Sequence, residues 1–328
     1  MRSCYRSSIT QTVLALFLGG LVCGCQTHST GSKSAAVDSA YLFSTFHEPG
    51  TDGLRFAYSF DGYHWKAIPG TLLKPDVGSK ILRDPSVVRG PDGTFHLVWT
   101  SAWRGDLGFG YASSKDLIHW SKQKFVDVMK DDPTSVNVWA PELFYDDVGK
   151  RFIITWASTI PGRFPDYQES PTNNHRMYFT TTKDFKTFAP TRLFLDPDFS
   201  VIDCQIVKDG QRYVLLLKDN SRPQRNLHVA VGETLLGPWR DISLPFTEKF
   251  TEGPSALKVG KDWLIYFDAY QEKIYGAMRT RDFKTFTDVT REVSFPEGHK
   301  HGTAVRVPRA ILDGLLQHAN STADSKAN

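Results

Sequence analysis

A repeated phrase constrains this chain of 328 residues more than any other feature. In each copy an apolar strand is followed by a second strand and by an aspartate four residues before an aromatic. The pairs are Asp61 with Trp65, Asp116 with Trp120, Asp184 with Phe188 and Asp282 with Phe286. A looser fifth copy spans Leu227–Trp239 and carries Glu233. The preceding strands are Tyr41–Phe46, Phe95–Thr100, Phe152–Ser158, Tyr213–Lys218 and Trp263–Phe267.

A period of roughly 50–60 residues with three or four strands per unit is typical of a β-propeller blade. Five copies therefore predict an all-β protein folded as a five-bladed β-propeller. Aromatic residues make up 13% of the chain, with 25 glycines and 18 prolines, which suits many strands joined by many turns. We interpret the aspartate–aromatic pairs as structural turns on the outer strands, far from the propeller axis.

The strand that opens each unit carries an ionisable residue at or near its start. These strands begin at Arg83, Trp139, Ile202, Thr251 and His301, and their ionisable residues include Asp84, Glu142, Asp203, Glu252 and His301 itself. In a propeller the first strand of every blade lines the central axis, and all of them run in the same direction. We therefore expect two aspartates, two glutamates and one histidine to converge in one funnel.

The two ends of the repeat array complement one another. The first repeat, Tyr41–Ile68, lacks an opening strand, whereas His301–Val307 is an opening strand with nothing after it. Pairing them completes a fifth blade from both ends of the chain and removes unpaired sheet edges. The sequence thus predicts a ring closed by the C-terminal strand, and loss of folding when the chain is cut before His301.

The amino terminus has the pattern of a targeting segment rather than of a folded element. Arg2 and Arg6 precede the apolar stretch Val13–Val22, which is too short to span a bilayer. The following Val-Cys-Gly-Cys at 22–25 resembles a bacterial lipobox. We predict a signal peptide over 1–24, lipidation of Cys25 and a flexible tether over 25–39, hence an exported protein anchored in the bacterial cell envelope by lipid. An ordinary secretory signal is the alternative.

The remaining composition narrows the class of partner. We expect a propeller domain over 40–308, followed by a tail over 309–328. The formal net charge is +3, and no basic cluster is dense enough to neutralise several phosphates, so no nucleic-acid partner is expected. Of the four cysteines, Cys204 alone lies in the folded domain, which therefore has no disulfide to form. We expect a monomer.

Acidic residues from different blades would suit hydrolysis of a glycosidic bond. That reaction needs an acid that protonates the leaving oxygen and a carboxylate on the opposite side of the sugar. Asp203 lies in an apolar strand, where an unpaired charge is costly, so a function is favoured. Trp103 and Trp139 are candidates for stacking on a sugar, and Arg83 and Arg104 for binding hydroxyl or carboxylate groups. Packing and salt bridging are their structural alternatives.

The opening motifs, taken in order, resemble glycoside hydrolase family 43. They are Arg-Asp-Pro-Ser at 83–86, Trp-Ala-Pro-Glu at 139–142, Ile-Asp at 202–203, Glu-Gly-Pro at 252–254 and His-Gly-Thr at 301–303. The resemblance covers Tyr41 to Val307. It implies a five-bladed propeller that hydrolyses arabinofuranosides or β-xylosides with inversion, and that acts on oligosaccharides or polysaccharides without a required cofactor.

The same resemblance implies a role for each matching residue. Asp84 would be the general base, Asp203 would tune the pKa of the acid, and Glu252 would be the general acid. His301 would be the axial histidine, which in many members lies near a water or a calcium ion. Glu142 would bind a sugar hydroxyl or help to close the inner ring, and its assignment as the acid stays open.

Three rival functions deserve comparison. Ser59–Trp65 looks like a sialidase Asp-box, but sialidases are expected to have six blades and a Tyr nucleophile. Retaining fructosidases share an Arg-Asp-Pro motif, yet their Asn-Asp-Pro-Asn strand has no counterpart here. A surface glycan-binding propeller without turnover is the non-enzymatic alternative. The sequence has Ile-Asp-Cys where related chains often have Ile-Asp-Pro. It does not decide whether the sugar is arabinofuranose, xylose or galactofuranose.

Overall fold

The computed structural model describes residues 38–165 and 170–327, with side chains up to Thr322. The predicted signal peptide, Cys25 and nearly all of the tether lie outside these residues and stay predictions. No helix in the described part is long and apolar enough to cross a membrane. Cys204 is a buried free thiol.

The described residues form five antiparallel sheets, which confirms the predicted five-bladed β-propeller. Four of the blades follow one another along the chain. Their strands are β4 (Arg83–Arg89), β5 (Phe95–Thr100), β6 (Gly108–Ser114) and β7 (Lys124–Asp127); β8 (Trp139–Asp146), β9 (Arg151–Ser158), β10 (Arg176–Thr182) and β11 (Arg192–Leu195); β12 (Val201–Asp209), β13 (Arg212–Asp219) and β14 (Asn226–Gly232); and β15 (Thr251–Val259), β16 (Asp262–Ala269), β17 (Ile274–Thr280) and β18 (Thr287–Asp288).

The remaining blade joins the two ends of the chain, as predicted. It contains β1 (Ser39–Thr45), β2 (Leu54–Ser59) and β3 (Lys66–Leu73), and its innermost strand is β19 (Ala304–Pro308). β19 runs antiparallel to β1, from the pair Ser39 and Pro308 to the pair Phe43 and Ala304. Closure therefore leaves no blade without its inner strand.

The tail, to which the sequence assigned no role, forms helix α1 (Arg309–Ala327). Leu312, Leu315 and Ala319 are buried in the same apolar cluster as Leu42 of β1. The helix thus covers the closing blade and belongs to the fold.

The aspartate–aromatic repeats form turns, as expected. Asp61 Oδ1 accepts the backbone N–H of Tyr63 at 2.7 Å and of His64 at 2.8 Å. Asp116, Asp184 and Asp282 make the same pair of hydrogen bonds to the residues two and three positions further on. These carboxylates satisfy turn donors that the strands leave unpaired.

A bulge near the start of four inner strands places the functional side chains. The pairing register of β4, β8, β12 and β15 with the next strand shifts at this point. Each bulge holds one residue in the left-handed region: Asp84 (φ 49°), Ala140 (φ 45°), Asp203 (φ 55°) and Gly253 (φ 59°). Such backbone is costly for residues other than glycine, and it re-aims a side chain. Asp84 and Asp203 are therefore equivalent, whereas Glu252 precedes its bulge and Glu142 follows.

Candidate active site

A funnel of about 400 Å³ opens where the inner strands begin. Asp84, Asp203, Glu252 and His301 all line it, although they are separated by more than two hundred positions in the sequence. The predicted convergence of these four side chains is therefore observed. The size is within the range of small-molecule sites.

Asp84 is held as an ionised acceptor. Its Oδ1 lies 3.2 Å from His301 Nδ1, and its Oδ2 accepts the Thr100 hydroxyl at 2.8 Å. Burial alone would raise the pKa of Asp84, but the hydrogen bond and charge of His301, together with Arg83, lower it below the ordinary value. A carboxylate that stays ionised in a buried site can take a proton from water.

Asp203 shows the opposite behaviour. It is 7% exposed, and its Oδ2 accepts the backbone N–H of Gly253 at 3.1 Å. Burial raises the pKa of Asp203, and the charges of Glu252 and Asp84 raise it further, against His301 and Lys218. Of the three funnel carboxylates, this one takes a proton most readily.

Glu252 is paired with a lysine that the sequence analysis missed. Lys218 Nζ donates to Glu252 Oε2 at 2.7 Å, and the same ammonium lies 5.2 Å from the ring centre of Tyr270. Burial would raise the pKa of Glu252, but Lys218 outweighs burial and lowers it. We expected a neighbouring carboxylate to keep this acid protonated, whereas in the substrate-free funnel the lysine favours its ionised form.

His301 carries a positive charge among the carboxylates. Burial would lower its pKa, but Asp203, the hydrogen bond to Asp84 and the charges of Asp84 and Glu142 raise it to about 9. Its ring packs against Gly253, where an added Cβ would lie 2.4 Å from the imidazole Cγ. Only glycine fits that close approach in the left-handed conformation.

The charge of His301 predicts a pH-dependent stability. Because the pKa is about 9 in the folded chain and 6.5 ordinarily, the folded state binds the extra proton between these values. The contribution is complete below pH 6.5 and is lost as the pH rises through 9, by up to about 3 kcal/mol. Urea unfolding between pH 6 and 9 should show this loss in the parent chain and little of it in His301→Gln. Equal slopes for the two chains would contradict the assignment.

Glu142 does not line the funnel. Its Oε1 accepts Gln205 Nε2 at 2.9 Å, and its Oε2 accepts the Thr303 hydroxyl at 3.3 Å. Burial raises its pKa. The sequence left three roles open for Glu142. These contacts favour a role in closing the inner ring over binding a sugar hydroxyl or acting as the general acid.

Trp103 and Trp139 form one wall of the funnel. Their rings meet edge to face at 5.7 Å, and the Trp139 indole N–H donates to the Trp103 carbonyl at 2.8 Å. Trp103 is 53% exposed, which leaves surface for a sugar. Arg83 is buried: it pairs with Glu48 and lies 4.1 Å from the Trp103 ring centre. Its salt bridge therefore supports the wall, while Arg104 lines the funnel with an exposed side chain.

The residues around His301 fit a calcium ion poorly. Among the described residues, no group of three or more His, Cys, Asp or Glu side chains is arranged to hold a metal. His301 presents Nδ1 to Asp84, and a protonated imidazole offers a cation no lone pair. We assign no step to a metal.

A positional signal could have revealed the missed residues. Thr100, Lys218 and Asp268 lie directly across from Arg83, Ile202 and Glu252 in the strand pairing. Each comes after an apolar run in the second strand of its blade. Thr100 and Lys218 line the funnel, so a polar residue at that position of the repeat could have predicted Lys218 as a funnel residue.

Fold and site together define a propeller glycoside hydrolase. A family model described as "Probable glycosyl hydrolase domain", related to family 43, matches residues 38–313. The chain belongs to this family of glycosyl hydrolase domains related to family 43. No curated protein sequence matches the chain.

Several solved enzymes share the fold. The α-L-arabinanase of Cellvibrio cellulosa, solved with arabinohexaose, aligns with a TM-score of 0.55 at 15% identity, over 78% of this chain and 93% of the enzyme. An α-L-arabinofuranosidase from Lactobacillus brevis gives 0.50 at 16%, over 64% and 72%. An exo-β-1,3-galactanase from Phanerochaete chrysosporium, solved with galactose, gives 0.51 at 13%, over 67% and 53%. Such identities show the fold alone and leave the sugar open.

Proposed function

We propose that the chain is an inverting, exo-acting glycosidase that removes terminal α-L-arabinofuranosyl or β-D-xylosyl residues, or galactofuranosyl residues, from plant-type glycans. The observation that carries this proposal is the meeting in one funnel of three carboxylates, Asp203 buried and Asp84 and Glu252 half-buried, whose proton affinities are shifted in different directions. Environments that push the pKa values of neighbouring acids apart are typical of acid–base pairs.

In the proposed reaction, Asp84 takes a proton from water while the water oxygen attacks the anomeric carbon. The bond from that carbon to the leaving oxygen breaks, and Glu252 gives this oxygen its proton. The products are a free sugar of inverted configuration and the shortened glycan. Asp84 then releases its proton to solvent, and Glu252 regains one.

Lys218 and Asp203 control when Glu252 carries that proton. Lys218 stabilises the ionised form of Glu252, which is the form left after the transfer. Asp203 binds the N–H of Gly253, directly after Glu252, and its raised pKa makes it the site that holds the proton nearby. We propose that Glu252 receives its proton from Asp203 when a sugar covers the funnel.

A panel of aryl glycosides of arabinofuranose, xylose and galactofuranose tests the proposal. We expect hydrolysis of at least one of them, and proton NMR at early times should show the inverted anomer. The retained anomer would exclude the roles given to Asp84 and Glu252.

The lowered pKa of Glu252 favours one second candidate, a propeller that binds glycan without turnover, since an ionised carboxylate cannot act as an acid. Calorimetry distinguishes this case from the first. Binding of an oligosaccharide without release of sugar by the unaltered protein would support the binding module.

A further inference from the structure

The wall of the funnel carries more positive charge than its three carboxylates require. Lys218 is paired with Glu252, His301 with Asp84, and Arg83 with Glu48, which is not a funnel carboxylate. Three further guanidinium groups, those of Arg104, Arg222 and Arg225, line the same funnel. Within the residues that the structure describes, Arg104 and Arg225 have no carboxylate partner. An excess of cations in a cleft raises the local concentration of anions.

Arg225 is built into the site. Its carbonyl accepts the N–H of Thr251 at 3.0 Å, which fixes it beside the strand that carries Glu252. The side chain is half-buried, and its Nε has no hydrogen-bond partner among the described residues. Because a buried donor without an acceptor costs stability, this group calls for an acceptor that residues 38–165 and 170–327 do not supply. Its backbone lies in the left-handed region at φ 48°, a conformation that persists where the surroundings enforce it.

Arg104 belongs to a different blade from Arg225. It follows Trp103 and is exposed. Its charge contributes to the low pKa of His175, about 3, which burial causes first and Lys218 and Arg176 also lower. The ring of His175 is buried behind the funnel wall and stacks on Trp139 at 4.8 Å. The guanidinium groups therefore come from two blades.

We propose that the funnel takes a glycan with an anionic substituent, a carboxylate or a sulfate, and that Arg225 binds this substituent on the leaving-group side of the scissile bond. The proposal rests on the glycosidase function proposed above. Glu252 would protonate the leaving oxygen, and Arg225 lies beside its strand, so the anion sits on the part of the glycan that departs. A guanidinium can grip either group with two parallel N–H donors. Arg104 adds attraction from another blade.

The test compares matched pairs of glycans on the same protein. One pair is an oligosaccharide pool that contains uronic acids and the same pool after chemical reduction of its carboxyl groups. The other pair is a sulfated oligosaccharide pool and its desulfated form. Calorimetry with Asp84→Asn, which we expect to bind without turnover, measures the affinity for each pool. We expect the charged member of one pair to bind about tenfold tighter at low salt than its neutral form. The pair that shows the difference identifies the substituent.

Three variants locate the effect. Arg225→Met should remove most of the charged-to-neutral ratio, and Arg225→Lys should restore part of it because the charge returns without the fork. Arg281→Met is the matched control: it removes an exposed arginine that pairs with Asp262 away from the funnel, so the ratio should be unchanged. If Arg225→Met fails to fold, the charged-to-neutral affinity ratio of the chain with Arg225 is compared with that of Arg225→Lys, and a lower ratio in the lysine variant supports the role of Arg225.

Equal affinity for the charged and neutral members of both pairs would overturn the proposal, as would an unchanged ratio in a folded Arg225→Met chain. Failure of the proposed glycosidase function would give a different result from failure of the anion-binding proposal. In that case the parent chain binds a pool but releases no sugar from it, whatever its charge.

Discussion

Asp84→Asn is expected to abolish hydrolysis while leaving the fold and glycan binding intact. The amide has the size of the carboxylate and can still meet Thr100, but it cannot take a proton from the attacking water. A positioned general base contributes about 10²–10⁴-fold, so kcat should fall by about that factor. Steady-state kinetics on the best aryl glycoside, with circular dichroism to monitor folding, measures the effect.

Glu252→Gln should give a comparable loss, with a diagnostic dependence on the leaving group. Because the acid assists departure of the leaving oxygen, activated aryl glycosides should suffer much less than natural glycans. The matched control is Asp147→Asn, an exposed carboxylate that pairs with Lys208 outside the funnel, and it should keep full activity. Turnover at the parent rate in either funnel variant would refute the assignment.

A chain that stops before His301 is expected not to fold. The truncation removes β19, so β1 keeps β2 but loses its other partner, and the neighbouring inner strands lose a packing surface. It also removes Val307, Leu312 and Leu315, each almost fully buried. Burial of one such side chain is worth roughly 1.5–3 kcal/mol, and three together approach the whole stability of many domains. Loss of the cooperative urea transition would show this.

The control for the truncation is a chain that ends after Asn320. It keeps β19 and the buried residues of α1, including Ala319. It removes residues 321–328, of which Ser321 and Thr322 are exposed. We expect its free energy of unfolding to lie within about 1 kcal/mol of that of the parent chain, because surface changes away from buried features have small effects. A stable, cooperatively folding chain that lacks residues 301–328 would show that ring closure is dispensable.

Much of the fold could be predicted because each repeat is defined by interactions between residues close in the sequence. An aspartate that binds two turn donors needs only its own next three residues, so the pattern at Asp61 appears in the sequence just as it does in the structure. Four such turns, together with the looser copy at Leu227–Trp239, give the blade count. The sequence assigned the tail no role, since burial of Leu312 against β1 depends on the closed ring.

The three funnel carboxylates could be predicted from the sequence, but the shifts of their pKa values could not. Asp84, Asp203 and Glu252 open their strands, and a common axis brings them together whatever their neighbours are. Lys218 changes the proton affinity of Glu252, yet it lies 34 residues away on another blade, and only the packing of the two blades reveals the contact. Glu142 was grouped with the funnel because the sequence does not show that Ala140, two residues earlier, occupies the bulge position equivalent to Asp84.

The sequence by itself determined the architecture, the closure of the ring and the meeting of Asp84, Asp203 and Glu252 in one funnel, because strand alternation and turn bonding act over a few residues. The tertiary structure alone decided in which direction the pKa of each funnel carboxyl is shifted, and which arginines lack a carboxylate partner in the part of the chain that the structure describes. Those properties depend on burial and on charges a few ångströms apart in space, and these distances exist only once five blades have closed around one axis.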